Sequence, residues 1–433
     1  MNAIPFRHRS VSERGTQVRQ DMEPRSGSEH GGLHDENVIQ CPYPYYTQLR
    51  QEGSVHRQDV QGQDVYLVLR HADCTRVLAD AEGFSSKVGP GLRPKASPEA
   101  KAILGQGPRL VRTLLTNDPP SHGRYRSIVS RAFTARRIRA LEPHVQAVIS
   151  DLIAEIDRSP TIDFVRRFSQ PLPLLVIADF LGVPRSDLPE FRKWSDDAAA
   201  LMGGNLKEEE ELDCYRSLVR LLQYFEELIE ARRGDLRDDY LSTLIRVGPE
   251  PLTTEEIIAL AYVIIVAGNE TTVNLLSSTM LMLATDPALQ DAVRRDRSLI
   301  PKVIEEALRL ESPIQGFPRL ALKDSEVGGD TIPEGSRVLV MIGAANRDGD
   351  VFDEPDQVQA DRSGAHLAFG YGIHFCLGAA LSRLEVSLAV NALLDNFQAI
   401  TIADPDFTAR YDDNPVVRTL LSLPLQLAAA EGI

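Results

Sequence analysis

Residues 369–378 read Phe369-Gly370-Tyr371-Gly372-Ile373-His374-Phe375-Cys376-Leu377-Gly378, a thiol, an imidazole and three glycines in one short run. A cysteine just ahead of a helix meets free backbone N–H groups and the positive end of the helix dipole. Both favour the thiolate, the form that binds metal. Gly370 and Gly372 permit positive-φ turns that aim further N–H groups at the sulfur. Gly378 leaves room for a flat macrocycle, and Phe369 can shield the sulfur from water, which tunes an iron site. Taken as residues alone, the run also fits a glycine-rich turn ending in a buried, inert cysteine. Cys41, Cys74 and Cys214 lie far from Cys376 and from one another, so a zinc pair, a c-type heme attachment and a disulfide framework are not expected.

A second cluster is Ala267-Gly268-Asn269-Glu270-Thr271-Thr272. Its surroundings (Ile257, Ile258, Leu260, Val263, Ile264, Ile265, Val266) are apolar nearly all round, the mark of a buried helix. Inside such a helix Gly costs about 1 kcal/mol relative to Ala, and a carboxylate costs more unless hydrated or paired. Thr271 can bond back to the Ala267 carbonyl and bend the helix. Three unfavourable choices side by side point to a functional groove, with a kinked core helix as the plainer reading.

These residues need elements to hold them. Residues 42–52 read as a helix closed by Gly53, and 55–68 as a β-region turning at Gly62. Residues 84–107, rich in Gly, Pro, Ser and Ala, read as a long loop. Helical patterns dominate from Ser121 to Thr285. The longest covers 253–285, opened by Thr253 and Glu256 in capping-box spacing and stopped before Asp286-Pro287. At 1.5 Å per residue it would run roughly 50 Å. A helix over 301–310, short strands near 338–341, irregular chain over 346–368 and a helix from Leu377 to about Phe397 complete the reading. Residues 1–36 are polar and read as a flexible leader, with 37–433 as one large, mainly α domain with small β-sheets.

The chain has 433 residues and a formal charge of −15, which speaks against a nucleic-acid surface. No segment near the N-terminus reaches the roughly 20 apolar residues that span a bilayer. The expectation is a cytoplasmic protein with no membrane and no nucleic-acid partner.

The cysteine run resembles the heme-binding loop of the bacterial form of the cytochrome P-450 family, Phe-Gly-x-Gly-x-His-x-Cys-x-Gly, without a departure. The resemblance spans about residues 42–425. It implies the cytochrome P-450 fold, a single heme domain, heme b as cofactor and Cys376 as iron ligand. It further implies that Ala267 and its neighbours line the distal side of the heme. Glu270 and Thr271 would then be an acid–alcohol pair delivering protons during dioxygen activation. His122, Arg126, Arg319 and His374 match propionate ligands. Glu306 and Arg309, otherwise an ordinary i, i+3 pair, match the family's Glu-x-x-Arg element, with Arg362 as third partner in a structural trio. The substrate pocket would draw on the 84–107 loop, residues 198–205, Val263, Val266, Ala267, Gln315, Gly316, Phe317, Val416 and Val417. That lining suits a small to medium hydrophobic substrate.

The activity implied is hydroxylation or epoxidation with dioxygen. Two electrons would come from a separate ferredoxin and an NAD(P)H-dependent ferredoxin reductase. The basic run Arg124, Arg126, Arg131, Arg136, Arg137 and Arg139 could dock an acidic ferredoxin, or be an ordinary solvated face. A peroxide-driven heme-thiolate enzyme and a non-enzymatic heme sensor remain as alternatives, both disfavoured by the Glu270–Thr271 pair.

Overall fold

The computed structural model describes residues 32–60, 63–88, 96–156, 161–201, 206–248, 250–362 and 364–429. Two helices form its axis. The first, Thr254–Gly268, opens with the expected capping box: Thr253 accepts from the Glu256 N–H and Glu256 from the Thr253 N–H. The second, Glu270–Thr285, stops at Asp286, whose side chain caps the next helix, Pro287–Arg295. The single helix expected over 253–285 is therefore broken, and the longest unbroken helix is Glu208–Gly234. Asn269 makes the break, at φ −79° and ψ −73°. By length and apolarity the 254–285 stretch could cross a bilayer, but its most apolar window is 56% buried inside the protein, as core helices are.

Each half of this axis anchors its own part of the core. Ile257, Ile258, Leu260 and Ile265 pack with Leu221, Leu222 and Phe225 of the Glu208–Gly234 helix. Leu275, Leu276, Met280 and Leu283 pack with Ala135–Ile156, Ile300–Glu311 and Ala379–Asn396.

A five-stranded sheet lies to one side, in the order Val55–Val60, Gln63–Val68, Arg337–Val340, Phe317–Ala321, Phe84–Ser85. Gln63–Val68 and Arg337–Val340 run parallel, and the other neighbours are antiparallel. Gly62, the expected turn residue, lies outside the described residues. Phe397–Ile402, Pro424–Ala429 and Thr161–Asp163 form a second sheet, and Ser325–Val327 pairs with Asp330–Ile332.

Two boundaries differ from expectation. Leu33 is 3% exposed and packs with Tyr45, Tyr46 and Leu67, and Glu36–Gln40 is a helix capped by Asp35. Folded chain thus begins before residue 37, because a few apolar residues inside a polar stretch suffice to dock it. The 84–107 segment is not wholly a loop: Phe84–Ser85 joins the sheet, and Pro98–Leu104 is a helix capped by Ser97.

Candidate active site

Cys376 lies just ahead of the Ala379–Asn396 helix, with Gly378 as its N-terminal boundary. Gly370 and Gly372 adopt φ of 71° and 69°, as the sequence required. At Gly372 a Cβ would also come within 3.0 Å of the Leu78 carbonyl oxygen, so any side chain would displace backbone. The Cys376 N–H donates to the Phe369 carbonyl at 2.9 Å and closes the loop. Burial pushes the Cys376 thiol up, while the Gly378 and Ala379 N–H groups and the Arg126 charge pull against it. That cradle is the helix N-terminal one the sequence implied. A Cβ at Gly378 would stand 3.9 Å from the sulfur, so this glycine keeps one side of it open.

Four bases gather around this loop. The His122 and His374 rings are 4.4 Å apart, and His374 Nε2 lies 3.0 Å from the Ser86 hydroxyl. Burial, then the charges of Arg319 and His122, push His374 down to about 3, so it is neutral near pH 7. Arg319 is 7% exposed, and its hydrogen bond runs to the neighbouring Pro318 carbonyl at 2.8 Å. Burial lowers it to about 10. Burial also lowers Arg126, against the pull of Cys376. The acid acting on His122, Arg319 and His374 is Asp118, and its oxygens already take the Ser85 hydroxyl at 2.5 Å and the Ser86 N–H at 2.8 Å. Bases that are buried (His122, Arg319) or half-buried (Arg126, His374), and whose acid Asp118 is already engaged by Ser85 and Ser86, are a donor set that an anionic group completes. A thiol in a cradle of N–H groups, ready to bind iron as a thiolate, and these bases beside it fit heme, whose propionates are such anions. Among the described residues no group of three or more His, Cys, Asp or Glu could hold a metal ion without a macrocycle.

At the axis break, Thr271 donates to the Ala267 carbonyl at 2.8 Å, as expected. Asn269 donates to Ser195 Oγ at 3.3 Å. A Cβ at Gly268 would sit 2.9 Å from Ile177 Cδ1, so a side chain there would push the end of Ile177 aside. Ala267 is exposed in an otherwise buried stretch and shares its helix face with Val263 and Thr271 at four-residue spacing. Glu270 accepts from Thr419 Oγ1 at 2.7 Å. Burial raises its pKa, Thr419 and Asn274 oppose the rise, and Asp196 and Asp412 add to it.

The trio is assembled. Arg309 donates to both oxygens of Glu306, at 2.7 and 2.9 Å, and Arg362 to one of them at 3.3 Å. Arg309 also reaches the Asn346 carbonyl at 3.2 Å. The Asn346 side chain takes the Leu367 N–H at 2.6 Å, and the Leu367 carbonyl takes the Gly370 N–H at 2.8 Å. A hydrogen-bonded path therefore joins the trio to the cysteine loop.

The expected pocket is only partly brought together. Val266 is buried in the apolar core, off the Val263–Ala267–Thr271 face, because it is one residue out of register with it. Gln315 points into the small-sheet side, where it meets the Tyr46 hydroxyl and the Glu311 and Ser312 carbonyls. Val416 packs with Leu339 and Met341, and Val417 is buried at a bridge to Ile314. Asn414 Oδ1, which accepts both valine N–H groups, sets this turn. Gly316 lies against Leu339, and Phe317 against Gly370 of the cysteine loop. Ala198 is buried in the apolar core, and residues 202–205 lie outside the described residues.

Sequence reasoning missed Asp118, Asn274 and Thr419, and gave Asn269 no role of its own. Asp118 lies four residues before His122, and its place ahead of the Ser121–Ser130 helix was a usable signal. Thr419 lies 149 residues from Glu270, and no local pattern marks it.

A mainly helical fold with a cradled thiolate, a propionate-like donor set and a broken central helix defines a heme-thiolate protein. The cytochrome P450 family model matches residues 162–425. The chain is 35% identical over 402 residues to cytochrome P450 107B1 of Saccharopolyspora erythraea, covering 91% of this chain and 97% of that one. It is likewise 35% identical over 393 residues to the cytochrome P450 monooxygenase PikC of Streptomyces venezuelae, covering 89% and 91%. In structure it is similar to CYP109Q5 of Chondromyces apiculatus, with a TM-score of 0.82, 33% identity and coverage of 92% and 98%. The chain belongs to the cytochrome P450 family. Its cofactor is heme, and it is an oxidoreductase that incorporates oxygen from dioxygen.

Proposed function

We propose that this chain is a ferredoxin-fed monooxygenase of small to medium apolar compounds, acting in the cytoplasm. One oxygen atom enters a C–H bond or double bond of the substrate. The other leaves as water, with two electrons and two protons. The bound heme supplies dioxygen activation.

The chain's own residues divide the remaining work. Cys376 is the only protein ligand to iron. His122, Arg126, Arg319 and His374 hold the propionates, while Phe369, Gly370 and Gly378 shape the thiolate side. Glu270 and Thr271 move protons beside Ala267. Val263, on the same face as Ala267 and Thr271, would offer the apolar surface for substrate, and Phe317, beside Gly370, would help hold the heme. Glu306, Arg309 and Arg362 hold the cysteine loop through Asn346 and Leu367. Electrons come from a separate ferredoxin and its NAD(P)H-dependent reductase.

The observation that carries this reading is the Cys376 cradle with four bases beside it, whose acid Asp118 is already engaged by Ser85 and Ser86. Cys376→Ser should fold and, once loaded with heme, lose the thiolate-type absorption band of the reduced carbon monoxide complex and all product formation. Retention of that band in the variant overturns the assignment.

A further inference from the structure

We infer that Thr419, on the C-terminal turn, is a positioning residue for Glu270, and that its hydroxyl fixes which carboxyl oxygen carries the proton. This rests on the reading of Glu270 as the proton-delivering acid.

The direction of the hydrogen bonds is the first argument. Asn274 Nδ2 lies 3.1 Å from Thr419 Oγ1, and Thr419 Oγ1 lies 2.7 Å from Glu270 Oε1. An amide nitrogen can only donate, so the Thr419 oxygen accepts from Asn274. The one hydroxyl hydrogen then belongs to Glu270 Oε1. With Oε1 occupied by the Thr419 hydroxyl, a proton on this carboxyl favours Oε2, and Asn274 assists by acting on Glu270 directly as well as by orienting Thr419.

Rigidity is the second. The neighbouring Arg418 donates to Glu311 at 2.8 Å and to the Ile39 carbonyl at 3.2 Å, and lies 3.5 Å over the Tyr411 ring. The Thr419 carbonyl accepts the Asp412 N–H at 2.9 Å, and Leu420 bridges Tyr411. Asn274, 1% exposed, holds the other side. The hydroxyl is therefore presented by two fixed elements, the turn and the second axial helix.

The charges facing Glu270 supply the third. Asp196, from the Leu188–Ala200 helix, and Asp412, from the C-terminal turn, both act on it and both disfavour its ionised form. Burial raises Asp196 itself to about 6 and raises Asp412 as well. Against burial and two acids, a donated hydrogen bond stabilises the carboxylate and keeps Glu270 able to give up its proton.

The test compares Thr419→Val, Thr419→Ser, Asn274→Leu and Glu270→Gln, and the Glu270→Gln/Thr419→Val double variant, as heme-loaded proteins of matched circular dichroism. Two readouts need no substrate. One is an infrared titration of the protonated carboxyl band in the ferric protein, assigned by its loss in Glu270→Gln. The other is oxidase turnover with a reconstituted ferredoxin and reductase, divided between hydrogen peroxide (two electrons, two protons) and water (four electrons, four protons). Thr419→Val should shift the titration upward and lower the water-to-peroxide ratio about tenfold, the scale of one hydrogen bond to a charged group. Asn274→Leu, which removes its own hydrogen bond to Glu270 as well as the one that orients Thr419, should change both in the same direction, and Thr419→Ser, which keeps the hydroxyl donor, should restore them. The double variant should be no worse than Glu270→Gln. An unmoved titration and ratio in Thr419→Val, with the ratio lowered in Glu270→Gln, overturns the positioning role and leaves the acid role standing. An unchanged ratio in Glu270→Gln overturns both.

Discussion

Arg319 has a cost that the protein alone does not offset. Its guanidinium is 7% exposed, makes no ion pair among the described residues, and is pushed down to about 10 by burial. Replacing a buried, uncompensated charge with an apolar side chain of similar length is often neutral or stabilising. Arg319→Met should therefore leave the heme-free protein as stable as the parent, or more so, in urea unfolding. The same change should weaken heme retention about tenfold or more, since a charge-assisted hydrogen bond to the propionates is lost. Heme transfer to apomyoglobin measures this. A destabilised heme-free protein with unchanged heme retention would make Arg319 a structural residue. At this scale the sequence was informative wherever backbone chemistry dictated residue type: the positive φ at Gly370 and Gly372 and the Thr271 back-bond were legible. Side-chain direction was not. Gln315 and Val416 turn into the sheet-side core because Asn414 and the strand register decide it, and both are set by distant chain.

Between elements, the cysteine loop is strapped to two helices. Glu305 of Ile300–Glu311 accepts from Arg383 of Ala379–Asn396 at 2.6 and 2.7 Å and meets His366 at 3.1 Å. The Arg383 guanidinium lies 4.4 Å over the Phe369 ring. Burial would raise the Glu305 carboxyl, but Arg383 and His366 outweigh it and hold it down at about 2. A depressed folded-state pKa adds stability that is fully present above the unfolded value, near 4.5. That stability is lost as pH falls toward 2. Glu305→Gln should thus flatten the acid limb of the stability curve between about pH 4.5 and 2, measured by urea unfolding at each pH. The effect should be modest, because the side chain is 40% exposed and the pair is screened. An acid limb of unchanged slope would remove this strap from the account. Capping signals made most helices legible. The missed helix Pro98–Leu104 carried one too, Ser97 ahead of Pro98 and Glu99, masked by the glycines and prolines around it. The break at Asn269 was half legible: Gly268 and Thr271 announced a bend, but the Ser195 contact that holds Asn269 is tertiary.

For the whole molecule, the proposed function raises the question of how electrons from another protein would find this one. The chain carries a net charge of −15, so an acidic ferredoxin is repelled at long range and needs a local basic face. Of the six arginines in the basic run, two are engaged inward. Arg124 pairs with Glu256 at 2.8 Å, and Arg126 acts on Cys376. Arg131, Arg136, Arg137 and Arg139 are exposed at the end of Ser121–Ser130 and the start of Ala135–Ile156. Ser121–Ser130 also carries His122 and Arg126, so the exposed arginines follow in the chain on the two bases that meet the cysteine loop. A docking face there would place the donor near the Cys376 side of the heme. Charge reversal at Arg131 and Arg136 should slow reduction by a ferredoxin about tenfold at low ionic strength, where steering is unscreened. At 0.5 M salt, with a Debye length of only about 4 Å, the variant and parent should converge. Stopped-flow reduction of the carbon monoxide complex across a salt series reads both limits. Heme content and thermal stability should stay at parental values, because neither arginine has a buried partner. An equal slowing at every ionic strength would mean that the substitutions disturb the heme side through structure. No slowing at any ionic strength would leave the run as a solvated face and move the search for the electron entry elsewhere.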